Sequence, residues 1–211
     1  LMQLAIPQSI GLSAPYQNAG SVRNVGWETA VEYSDAAGDF TWKAGANLSD
    51  VINTITDMKG TYSSSGALRN QEGSSINSIY GLYCYGVIRT QEQADWVNAN
   101  QPQYNIVSKP GDLVYEDFNH DGKVDDDDMQ IIGSCIPRYT YGFHLGFGWK
   151  GLNFTAQFQG VGKADAYLSS YFTQPCVQGG TFRKEHLDRW TPTTPDGRFP
   201  RMSYAIDNTL N

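Results

Sequence analysis

Residues 139–160 read YTYGFHLGFGWKGLNFTAQFQG, and their alternation decides the fold. One face of the first half presents Tyr139, Tyr141, Phe143, Leu145, Phe147 and Trp149. The other presents Thr140, Gly142, His144, Gly146 and Gly148. A period of two is the signature of a strand with two unlike faces. Lys150-Gly151 then supplies a two-residue turn, the shortest hairpin connection. The return strand carries Leu152, Phe154, Ala156 and Phe158 on one face and Asn153, Thr155, Gln157 and Gln159 on the other. A two-residue loop sets Trp149 against Leu152, Phe147 against Phe154 and Phe143 against Phe158, so the apolar faces merge.

Such a hairpin could cover a soluble core, but two details favour a membrane wall. Each strand has the 9–11 residues that cross a bilayer at a tilt. The polar face is small and uncharged, as on a barrel wall facing a watery lumen, and Tyr139 and Trp149 stand where aromatic girdles would. Soluble surfaces carry more Lys and Glu. A second hairpin has the same polarity. GWETAVEYS sets Trp27, Thr29, Val31 and Tyr33 against Glu28, Ala30 and Glu32; FTWKAGANL sets Phe40, Trp42, Ala44, Ala46 and Leu48 against Thr41, Lys43, Gly45 and Asn47. The expected strands are therefore 25–34, 40–50, 139–149 and 152–160, with long loops at 51–138 and 161–211. Short turns alternating with long loops are the outer-membrane pattern, with the long loops outside the cell. Within the first loop, TQEQADWVNAN predicts a short helix, with Thr90 as N-cap and Gln93 completing a capping box.

The same loop contains DFNHDGKVDDDD, residues 117–128. Asp117, Asn119 and Asp121 fall at positions one, three and five of a twelve-residue calcium loop, Gly122 at six, Val124 at eight and Asp128 at twelve. Lys123, at seven, would offer only its backbone carbonyl and point its ammonium away. Asp125 would reach the ion directly or through water. The candidate metal set is thus Asp117, Asn119, Asp121, Lys123, Asp125 and Asp128, and the expected cofactor is Ca2+. Asp128 replaces the usual Glu, so the loop resembles those of dockerin modules more than those of intracellular sensors. The competing reading is a plain acidic turn, since Asp, Asn and Gly are common turn formers.

Composition narrows the function classes. A net charge of −7 argues against a nucleic-acid partner. Aromatics at 13% with 22 Gly suit antiparallel β structure. Cys84, Cys135 and Cys176 leave one disulfide plus a thiol, or three thiols, both open; neither they nor His120, His144 and His186 have zinc spacing. No apolar run is long enough for a membrane helix. The chain begins LMQLAIPQ, without a cleavable leader, so a piece of a longer protein is one expectation.

Five ordered blocks, APYQNAGSVRNVGWE, GDFTWKAGANLSDV, PGDLVYEDFNHDGKVDDDDMQIIG, YTYGFHLGFGWKGLNFTAQFQGV and LDRWTPTTPDGRFPRMS, resemble the C-terminal half of SusC/RagA-type TonB-dependent outer-membrane transporters of Bacteroidetes. The resemblance implies a 22-stranded barrel with a plugged lumen. It also implies a SusD-like surface lipoprotein closing over the barrel, TonB as the energy source, the lipid bilayer as surroundings, and an oligosaccharide or peptide substrate. Plug, TonB box and closing strand are not recognised here, so a barrel fragment is expected. The expected fold class is mainly β: antiparallel hairpins of an outer-membrane β-barrel fragment, long extracellular loops, one short helix and a dockerin- or EF-hand-like calcium loop. Tyr80, Tyr83, Tyr85 and Tyr171 in the loops are candidates for stacking on sugars.

Two other classes compete. A secreted, calcium-stabilised β-sandwich binding carbohydrate or an adhesion partner would cover the aromatic face with a second sheet. An enzyme would need more than Glu28 and Glu32 on one strand face, because glycosidase carboxylates flank a bond from defined positions. There is no GxSxG elbow, and no catalytic residue is assigned.

Overall fold

The computed structural model describes residues 2–3, 16–17, 20–168 and 182–202. Tyr171, Cys176 and parts of the first and last family-like blocks lie outside the described residues. Two compact units divide the chain. One comprises residues 1–79 and 133–166, the other residues 80–132 and 167–211.

The first unit is built on four long strands. After two short paired strands, β1 (Met2–Gln3) and β2 (Tyr16–Gln17), come β3 (Ser21–Ala37) and β4 (Phe40–Asp57). A meander of β5 (Ser63–Ser65), β6 (Leu68–Asn70) and β7 (Ser78–Gly81) follows. In the second unit lie β8 (Cys84–Val87), helix α1 (Gln91–Asn100) and β9 (Leu113–Tyr115). The chain returns to the first unit within β10 (Gln130–Ser134), then forms β11 (Tyr139–Trp149) and β12 (Leu152–Gly162).

The four long strands form one antiparallel sheet in the order β12-β11-β4-β3, open at both edges. Lys150 and Gly151 both take positive φ, 46° and 90°, the geometry a two-residue hairpin demands. Trp149 therefore pairs with Leu152, Phe147 with Phe154 and Phe143 with Phe158. β11 continues the sheet onto β4, where Phe147 meets Trp42 and Leu145 meets Ala44. β3 and β4 run 17 and 18 residues, beyond the 25–34 and 40–50 suggested by alternation. Their extra rows, Ser21–Asn24 against Asn53–Asp57, are largely polar and add pairing without a hydrophobic signal.

Cores are small and local. Ile55, Met58 and Ile79 are buried in the first unit. In the second, α1 buries Ala94 and Val97 against Ile88, with Val114 packed on them. Thr90 caps α1, its hydroxyl accepting from the Gln93 amide at 3.2 Å. Gln93 departs from the expected capping box: its carbonyl accepts from the Arg89 amide at 2.8 Å, one residue before the cap.

Candidate functional site

The long sheet has two unlike faces. On one, Trp27, Val31, Tyr33, Phe40, Trp42 and Leu48 stand beside the large side chains of β11 and β12, all exposed except the half-buried Tyr139. Their rings gather across strands rather than into a core: Phe143 stacks on Phe158 at 4.5 Å, Phe147 on Phe154 at 5.1 Å and Tyr33 tilts over Trp42 at 5.1 Å. Such contacts stabilise by about 0.5–1.5 kcal/mol each beyond burial. Phe40 and Trp149 share the row at the turn end, and Trp27 and Tyr139 share the row at the other. Eleven residues at about 3.3 Å each, tilted about 45°, span roughly 25 Å, the height of an outer-membrane apolar band. Two carboxylates, Asp35 and Asp50, lie on the same face near its two ends.

The other face is flattened by glycine. A Cβ on Gly45 would sit 2.3 Å from His144 Cε1, because the imidazole crosses Gly45 from β11 to reach Glu32 on β3. His144 Nε2 comes within 3.8 Å of Glu32 Oε1. Asn47 lies over Gly142, Lys43 over Gly146, and Thr41 and Asn153 over Gly148. Long polar side chains thus lie along the sheet, each in the space of a missing Cβ. Glu28 and Glu32 sit four positions apart on this polar face, with Ala30 between them.

The acidic loop of the second unit is wound around its own carboxylates. Asp117 accepts from the amides of Asp121 at 3.1 Å and Gly122 at 2.9 Å. Asn119 accepts from Asp121 at 2.8 Å, and Asp121 from Lys123 at 3.1 Å. Gly122 has φ of 87°, the turn geometry that glycine permits. Asp128 is fully buried and closes the loop, accepting from Asn119 at 3.2 Å and Asp125 at 2.8 Å. Asp125 caps the one-turn 3-10 helix Asp126–Asp128.

The Lys123 side chain does not point away, as the sequence suggested, but folds back onto Asp125 and lies 3.4 Å from Asp121. The hydrogen bond from Lys123 holds the Asp125 carboxyl below its ordinary range, and those carboxylates in turn raise the ammonium. Among the described residues, no three His, Cys, Asp or Glu side chains converge as metal ligands. The set Asp117, Asn119, Asp121, Lys123, Asp125 and Asp128 is nevertheless gathered on one twelve-residue turn.

That turn is tied through Val124 to a segment whose centre, Gln103, carries no signal in the sequence. Val124, buried, exchanges backbone bonds with Pro102 and Tyr104, both 2.9 Å. Between those two, buried Gln103 accepts from the Tyr115 amide at 2.8 Å and donates to Leu113 at 3.0 Å and Ser108 at 3.2 Å. Tyr104 donates its hydroxyl to Asp126 at 2.9 Å, and burial together with that carboxylate raises its phenol pKa.

The class the fold defines is an open antiparallel sheet, apolar and aromatic on one side and polar on the other, the pattern that strands of a membrane barrel also carry. The chain is a homologue of TonB-dependent receptors. It is 32% identical over 217 residues to TonB-dependent receptor P26 of Formosa agariphila, covering 95% of this chain and 21% of that protein. TonB-dependent receptor P3 of the same organism is 24% identical over 213 residues, covering 93% of this chain and 20% of the relative. Among solved structures, a chain in "Structure of the RagAB peptide transporter" superposes with a TM-score of 0.69 at 21% identity, covering 98% of this chain and 22% of that one. That likeness is one of fold. No family model matches the chain. The chain spans about a fifth of the length of the curated relatives it matches. No helix among the described residues is long and apolar enough to cross a membrane, which says nothing of strands.

Proposed function

We propose that this chain is part of the barrel of a SusC/RagA-type TonB-dependent transporter in the outer membrane. In this reading the full-length protein takes up a nutrient, an oligosaccharide or peptide, with a SusD-like surface lipoprotein as lid and TonB as energy source. One observation carries the reading. The large aromatic and aliphatic side chains of one face of β12-β11-β4-β3, from Trp42 and Leu48 to Phe143, Phe147 and Phe158, are exposed, while the opposite face is polar and smoothed by glycine. The secreted-sandwich alternative needs a second sheet over Phe143, Phe147, Phe154 and Phe158, and these rings remain exposed among the described residues. No role in catalysis is assigned to Glu28 or Glu32.

We propose that the acidic loop binds a calcium ion that stiffens a surface loop, its side chains drawing inward to reach the ion. Side-chain oxygens of Asp117, Asn119, Asp121 and Asp128, the Lys123 carbonyl, and Asp125 directly or through water would hold it. The donors are all oxygens, which suits a hard cation. Calcium would neutralise the loop's charge, a role Lys123 fills in part. Seven acidic residues between Glu116 and Asp128 face a single Lys.

Spin labels test the wall. In the full-length protein reconstituted into bilayers, a label at Leu145 should be reached by oxygen dissolved in lipid, and one at His144 by a water-soluble nickel chelate. A full-length protein that stays soluble without detergent, or a Leu145 label shielded from both quenchers, would overturn the reading.

A further inference from the structure

Two tyrosines beside the acidic loop form a corner that neither the barrel wall nor the calcium reading uses. Tyr83 and Tyr85 lie on and just before β8, both exposed, with ring centroids 5.7 Å apart and planes crossing at 79°. A defect in strand pairing sets them there. Cys84 pairs with Tyr115 and Gly86 with Val114, which leaves Tyr85 as the extra residue of a β-bulge. Bulges re-aim a side chain and recur beside functional sites. Gly86 makes this one feasible with φ of 140°, a conformation that side-chain-bearing residues rarely adopt.

Re-aimed, Tyr85 donates its hydroxyl to Glu116 Oε1 at 2.9 Å. Gln130 donates to Glu116 Oε2 at 2.7 Å, and the Glu116 amide donates to the Tyr83 carbonyl at 2.9 Å. The Glu116 backbone is therefore held to Tyr83, and its carboxylate is fixed beside the ring pair by Tyr85 and Gln130. Each of its oxygens has accepted one hydrogen bond and retains a further lone pair. The hydrogen bond to Glu116 also raises the Tyr85 phenol's pKa, so the hydroxyl stays a donor.

We infer that Tyr83, Tyr85, Glu116 and Gln130 form a binding subsite for a neutral pyranose unit of an oligosaccharide. This rests on the transporter reading and narrows its substrate class. Two rings at right angles present an apolar floor and wall to the C–H faces of a sugar. Glu116 at their edge accepts from the sugar's hydroxyls, and the Gln130 amide completes the polar rim. Glu116 is also the first of seven acidic side chains ending at Asp128. Even with Lys123 and a divalent cation in place, that segment keeps a negative excess, which disfavours anionic ligands such as uronates or acidic peptides. The two apolar rings beside a hydroxyl acceptor favour an uncharged, hydroxyl-rich one.

The test uses the full-length protein in detergent, probed with immobilised neutral gluco- and manno-oligosaccharides, oligogalacturonates and mixed peptides. Neutral oligosaccharides should be captured. Tyr83→Ala and Tyr85→Ala should each weaken capture about tenfold, the effect of losing one stacked ring. Glu116→Gln keeps the shape and should weaken it less. Preferential capture of peptides or oligogalacturonates overturns the inference, and so does neutral-sugar binding unchanged in both tyrosine variants. Should the protein prove soluble without detergent yet bind neutral sugars through Tyr83 and Tyr85, the transporter reading falls and the subsite stands.

Discussion

Arg138 holds Asp50 with two hydrogen bonds, 2.8 Å from Nε and 3.1 Å from its second guanidinium arm, across 88 residues of chain. The Arg138 carbonyl also accepts from the Val51 amide at 2.9 Å. Asp50 lies within β4, opposite Tyr139 in the last row that β4 shares with β11, and Arg138 immediately precedes β11. The chain returning from the long excursion is thus fastened to β4 where it re-enters the sheet. A planar fork suits a carboxylate in a way that a point charge does not.

Arg138→Ala should loosen that re-entry point, and limited proteolysis of the full-length protein should show faster cutting just before β11. Arg138→Lys should restore only part of the protection, because an ammonium cannot make both contacts in the same geometry. Equal cutting rates in wild type and Arg138→Ala would mean that backbone pairing alone fastens the excursion.

Glycines of the sheet should divide into two groups. A Cβ on Gly26 would lie 2.2 Å from the Asp50 backbone oxygen, which cannot move without breaking the β3–β4 pairing. A Cβ on Gly45 meets the His144 ring, a side chain free to swing away. Gly26→Ala should therefore sharply reduce the heat-modifiable, folded form on gels, while Gly45→Ala should leave it largely intact. Adding His144→Ala to Gly45→Ala should remove whatever defect remains. If both glycine variants assemble equally well, the close approach at Gly26 is not structurally required.

The pattern in residues 139–160 is legible because a two-residue turn fixes register and alternation fixes the faces, both within one short stretch. What the polar face looks like is not legible that way. That Asn47, Lys43 and Thr41 lie over Gly142, Gly146 and Gly148 depends on the β4–β11 register, set by residues roughly a hundred positions apart in sequence. Gln103 carries no signal either, since a buried polar residue in an irregular segment has no periodicity to betray it. The bulge at Tyr85 was likewise hidden, although Gly86 immediately after an aromatic was a hint. Lys123 turns inward because charge neutralisation inside the loop outweighs the outward direction that its position in the pattern suggests.

Position along β11 should grade the effect of a charge on the aromatic face. Leu145 lies mid-strand, whereas Trp149 lies at the turn end beside Phe40. In a bilayer, Leu145→Arg should destabilise the folded barrel by about 2–4 kcal/mol and Trp149→Arg by about 0–1 kcal/mol, measured by reversible denaturation in lipid. Equal costs at both positions would argue that the face packs on protein.

Calcium and Lys123 compete for the same carboxylates, which gives the loop reading an unusual test. Asp117→Ala or Asp121→Ala should abolish any calcium-dependent protection of residues 117–128 from proteolysis. Lys123→Ala should act in the opposite direction. It leaves every proposed oxygen donor in place, the position-seven carbonyl included, and removes the cation that folds onto Asp121 and Asp125. The variant loop should be cut faster than wild type in EGTA, where the like charges are no longer offset. It should also reach full protection at a lower calcium concentration, because the metal no longer displaces an ammonium. An acidic turn that holds no metal predicts faster cutting in both conditions and no response to calcium, so the calcium dependence of Lys123→Ala separates the two accounts.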